Sequence, residues 1–69
     1  MEPTKEVKVV IIDAEMATIQ NTIYQQQIRH RVNKKLGNAD VLKSIEEEMS
    51  KLEKMLDEYE AIKAEINGK

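Results

Sequence analysis

Apolar residues recur along this chain in two long helical rhythms with one interruption between them. From Val9 the first rhythm runs through Ile12, Met16, Ile19 and Ile23 in steps of 3, 4, 3 and 4, the spacing that keeps one stripe of a helix turned towards a neighbour. A second row on the same segment, Val10, Ala14, Ala17, Tyr24, Ile28, Val32 and Leu36, widens the apolar surface beyond what one partner helix covers. The pattern predicts a helix over residues 4–36, about 50 Å long at about 1.5 Å per residue. Its start competes with a strand, because Glu6-Val7-Lys8-Val9 alternates and Val9 to Ile12 are all β-branched. A lone strand needs a strand from another chain to pair with, so helix is the expectation, with Thr4 as the candidate cap.

Beyond Leu36 the rhythm restarts. Leu42, Ile45, Met49, Leu52, Leu56, Tyr59 and Ile66 keep the 3-4 spacing, with Lys63 at the one polar position of the row. They predict a second helix over residues 40–66, supported by the Glu47–Lys51 pair one turn apart. Met55 and Ile62 widen its stripe. Between the helices stands Leu36-Gly37-Asn38. Glycine enters the left-handed conformation past a helix end without a Cβ penalty. Lys34 and Lys35 suit the last turn, and Asn38 or Asp40 suits the start of the next helix. A turn as short as 37–39 makes the helices antiparallel neighbours. The expected fold is all-α, a two-helix hairpin forming a single domain over residues 1–69.

Pairing across that turn assigns Ile28, Val32 and Leu36 to the hairpin core. They face Leu42, Ile45, Met49, Leu52, Leu56 and Tyr59, with Val32 near Ile45, Ile28 near Met49 and Tyr24 near Leu52. Val9, Ile12, Met16, Ile19 and Ile23 are then left uncovered, several hundred Å² that soluble monomers rarely leave in water. The expectation is a homo-oligomer joined through that stripe, most simply two hairpins in a four-helix bundle.

Composition strengthens the case for self-association. At 69 residues, with Tyr24 and Tyr59 the only aromatics, the chain falls where a core seldom suffices unaided. Cysteine is absent, so neither a disulfide nor a thiolate metal site adds stability. The net charge of −2 conceals a division: residues 16–39 carry Arg29, Arg31, Lys34 and Lys35 and no acid, while the flanking segments are acidic. In a hairpin the basic end lies near Glu46-Glu47-Glu48, which offsets it and argues against a nucleic-acid surface. The apolar run Val9 to Ile12 is too short for a signal-peptide core, and far below the roughly 20 residues a membrane span needs. A cytoplasmic protein without a membrane partner is expected.

Groups for catalysis are sparse. There is one histidine, the serines at 44 and 50 sit in a surface helix pattern, and Gly37 and Gly68 are isolated rather than part of a phosphate loop. Glu46, Glu47 and Glu48 fan about 100° apart on a helix, which suits a solvated face better than a metal site. No enzyme, cofactor or metal is expected. The basic block has two readings. Cations favour helix C-termini and here have acids to pair with. Alternatively, the apolar seam of the first helix continues through Gln26, Gln27, His30, Asn33 and Lys34. A polar end of that kind suits a pocket in which Tyr24, Gln27, His30, Arg31 and Lys34 hold an anionic, nucleotide-like ligand. Gln26 and Asn33 in the seam also serve to fix its register.

The stretch NTIYQQQIRHRVNKKLGN, followed by SIEEEMSKLEKMLDEYEAI, resembles short helical-hairpin accessory proteins encoded in bacteriophage genomes. The likeness covers most of residues 19–62. It implies a non-enzymatic factor acting in the infected bacterial cytoplasm, where some such small oligomers block host proteins and others sequester nucleotide signals. It transfers no binding residues. Two functional expectations follow: a self-associating protein that inhibits or adapts a host protein, and a small-ligand binder using the polar end of the first helix.

Overall fold

The computed structural model describes residues 2–68. It consists of two helices, α1 over Lys5–Leu36 and α2 over Ala39–Asn67, with no strand among the described residues. Residues 6–12 are therefore helical, and the β-branched run is carried within α1. Thr4 caps that end: its Oγ1 accepts from the Val7 backbone N–H at 3.3 Å, satisfying one of the donors that a first turn leaves free.

Gly37 ends α1 in the left-handed region, at φ 76°. Its N–H donates to the Lys34 carbonyl at 3.3 Å, and the Asn38 N–H donates to the Asn33 carbonyl at 3.1 Å. Those are the paired bonds of a Schellman closure, which satisfies carbonyls that a helix end would leave open. Asn38 occupies the position before α2 but makes no side-chain cap bond. Its amide donates instead to Asn33 Oδ1 at 3.0 Å, while Asn33 Nδ2 donates to the Arg29 carbonyl at 2.8 Å. Asn33 thus ties the last turn of α1 to Asn38, the second residue past it.

Two cross-helix contacts set the pairing. Lys63 meets Asp13 at 2.6 Å and His30 meets Glu46 at 3.8 Å. The step from Asp13 to His30 along α1 equals the step from Lys63 back to Glu46 along α2, so the helices run antiparallel in one unbroken register. The hairpin measures 51 × 18 × 14 Å, a rod about one helix long and two wide.

The face that α1 turns inward differs from the expectation. Ile12 and Ile19 are buried, and Val9, Met16, Ile23, Gln26, His30 and Asn33 are half-buried. The stripe assigned to an oligomer interface is therefore the hairpin's own core. On α2, Ile45 and Leu52 are buried, with Leu42, Met49, Leu56, Tyr59, Lys63 and Ile66 half-buried. By contrast Ile28, Val32 and Leu36, assigned to the core, stand exposed, as does Tyr24; Leu36 is 67% exposed and Tyr24 64%.

Spacing explains the exchange. The inward stripe keeps alternating steps of 3 and 4 from Val9 to Asn33 and so stays on one line facing a nearly straight partner. Tyr24, Ile28, Val32 and Leu36 advance by 4 every time, which rotates them about 40° per step and roughly 120° in all. A row that winds around the helix cannot remain against α2. The selected stripe also matches the eight α2 seam positions from Leu42 to Ile66 over their full length, with Ile23 level with Leu52 and Ile12 level with Lys63.

Candidate functional site

Because α1 spends its straight seam on α2, its remaining apolar residues collect on the opposite side. Val7, Val10, Ile11, Tyr24, Ile28 and Val32 are all exposed. Ala14 and Ala17 continue their line and are exposed too. Between them Thr18 and Thr22 turn their hydroxyls back onto the carbonyls of Ala14 and Thr18, at 3.1 and 3.0 Å. Those hydroxyls are satisfied within the helix, while the exposed Asn21 keeps the middle of this face polar. On α2 the large exposed apolar residues are Val41, Met55 and Ile62, which flank the seam rather than lie behind it.

The five residues expected to hold a ligand are only partly brought together. Tyr24, Gln27, Arg31 and Lys34 follow steps of 3, 4 and 3 and form one exposed row on α1. His30 does not join them. It sits in the seam, half-buried, with Nε2 3.8 Å from Glu46 Oε2. Among the described residues no cavity encloses all five. An open groove of about 480 Å³ is lined by Arg31, Val32, Lys34, Lys35 and Leu36, so the cations at the end of α1 are mixed with two of its exposed apolar side chains. A second open groove, about 380 Å³, lies at the turn end between the helices; Gln26, Arg29, Val41, Ser44 and Glu48 contribute to it.

Electrostatics at this end also depart from expectation. Glu46 reaches only His30, and among the described residues Arg29, Arg31, Lys34 and Lys35 enter no ion pair. The acids of α2 thus leave the basic block free towards solvent. Inside the seam, Gln26 Oε1 is buried with no hydrogen-bond partner, a costly arrangement for an amide oxygen. Asn33 has its polar atoms engaged at the turn and contributes nothing to a ligand site.

No group of three or more His, Cys, Asp or Glu side chains that could hold a metal ion occurs among the described residues. None of the described helices is long and apolar enough to cross a membrane. The sequence shows Val10, Ala14 and Ala17 as a second apolar row but not that Val7 extends it or that the row faces outward. The signal was present as a second 3-4 rhythm in register with the first, but Asn21 interrupts its apolar character. Comparison with protein-family models, curated proteins and solved structures finds no match to this chain.

Proposed function

We propose that this protein is a non-catalytic, self-associating binding protein that works by docking helix against helix, as an inhibitor or adaptor of another protein. The observation that carries this reading is the outward face of α1, where apolar residues continue along almost the whole helix with nothing laid over them. Contiguous apolar surface of that extent marks interaction sites on soluble proteins. The absence of cysteine, the scarcity of histidine and the engagement of His30 and Asn33 in the hairpin leave little for chemistry. The test is capture with the tagged protein and its Tyr24→Glu variant from bacterial lysate, followed by reconstitution from purified components. A protein retained by the wild type, lost with the variant and rebound in pure form is expected. Failure to reconstitute any such complex ends the reading.

A second reading is favoured by one arrangement, the row of Tyr24, Gln27, Arg31 and Lys34. An exposed aromatic ring beside two free cations suits an anionic, base-containing ligand such as a cyclic nucleotide. Thermal melts with a panel of mono- and dinucleotides test it. A rise in Tm that disappears in Arg31→Ala is expected, and no rise with any member removes the idea.

A further inference from the structure

We propose that the outward face of α1 is covered by the same face of a second copy, running antiparallel, with Asn21 on the two-fold axis. The proposal deepens the self-association part of the reading above and names the occupant of that surface. An isologous contact requires one face to be complementary to itself when turned end for end. That condition is met here in volume, in charge and in extent.

In volume, a two-fold axis through Asn21 sets Tyr24 level with Ala17 and Thr18 of the other copy. Ile28 falls level with Ala14, and Val32 with Val10. Tyr24 and Ile28 therefore meet small side chains of the N-terminal half, which lets the two helices approach closely near the axis and fills the space between them, while Val32 and Val10 pack as equals further out. A parallel arrangement would set Tyr24 against Tyr24 and alanine against alanine, with gaps between. Asn21 itself becomes the single polar position in the middle of the contact, the device that fixes register and partner number in helical seams.

In charge, the N-terminal half of α1 carries Glu6, Asp13 and Glu15 against Lys5 and Lys8, a net −1, whereas Arg29, Arg31, Lys34 and Lys35 give the other end +4. Antiparallel pairing brings Arg29 level with Asp13 of the other copy and Lys35 within one residue of Glu6, setting the strongly basic end against the weakly acidic one. Parallel pairing would stack four cations on four. In extent, Val7, Val10, Ile11, Tyr24, Ile28 and Val32 are each between 46% and 66% exposed. They amount to on the order of 600 Å² per copy, near the roughly 800 Å² that each side of a standard interface buries.

The consequence is an assembly unlike a square bundle. The face towards α2 and the face towards the second copy lie on opposite sides of α1. Four helices therefore stand in one layer, with the two α1 helices inside and the two α2 helices outside. Each α2 keeps its Val41, Met55 and Ile62 flank open in that layer.

Light scattering and cysteine cross-linking test this directly, since the chain has no native cysteine. The full chain is expected at twice its 8.0 kDa at micromolar concentration. Ala17→Glu, at a site exposed in the hairpin, is expected to weaken the dimer at least about 100-fold by burying a charge while helicity is unchanged. Asn21→Cys is expected to form a linked pair under a short bismaleimide. Val10→Cys is expected to link to Val32→Cys in a mixture and not to itself. A chain that stays at its monomer mass at high micromolar concentration overturns the proposal, and leaves docking on a different protein to be judged by the capture experiment above. A dimer indifferent to Ala17→Glu refutes this face, and self-linking of Val10→Cys refutes the antiparallel direction.

Discussion

Lys63 Nζ lies 2.6 Å from Asp13 Oδ1, joining residues fifty positions apart at the open end of the hairpin. Lys63 occupies a seam position, so its aliphatic stem runs along the core while its ammonium reaches the flank of α1. The two side chains are 35% and 50% exposed, which limits the pair to about 0.2–1 kcal/mol. Asp13→Asn should accordingly lower the melting temperature only slightly. Lys63→Met should raise it, because apolar burial in the seam outweighs the lost pair; circular-dichroism melts at fixed protein concentration decide, and a marked fall with Lys63→Met would show that the ion pair dominates.

Ile45 and Leu36 make a sharper contrast. Both read as core residues in the sequence, yet Ile45 is 4% exposed and Leu36 67%. Ile45→Ala should cost about 2–4 kcal/mol, enough to unfold much of so small a domain at ordinary temperature. Leu36→Ala should cost less than about 0.5 kcal/mol. Urea titrations of the two variants check the inward face of α1, and equal losses would contradict it.

Gly37 should not tolerate a side chain freely, although there is room for one. A Cβ placed there meets nothing within 4 Å, so the penalty is purely that of holding an L-residue at φ 76°. Gly37→Ala should destabilise by about 1 kcal/mol. Gly37→Asn should cost less, since asparagine visits this region more readily. Equal melting temperatures for all three forms would mean the turn relaxes elsewhere.

Gln26 is the seam position with most to gain from replacement. Its Oε1 is buried and unpartnered, and Gln26→Leu removes that penalty while adding apolar contact opposite α2. A stabilisation of about 1 kcal/mol is expected in thermal melts. A loss of stability would indicate that the amide holds a partner in solution.

Much of the secondary structure is determined by residues close together in sequence. The steps of 3 and 4 on each helix, Gly37 at the break, Thr4 at the start and the seam of α2, apolar except at Lys63, are local features. A linear reading finds them because each depends on neighbours within one or two turns. The choice between two faces of α1 is different in kind. Val9 to Ile23 and Tyr24 to Leu36 carry similar apolar content, and only the requirement to stay aligned with α2 along its whole length separates a straight stripe from a winding one. That competition also sent His30 into the seam, away from Tyr24 and Arg31, and turned the other apolar row outward. Local periodicity thus decided where helices form, whereas packing against a distant segment decided which surfaces remain for a partner.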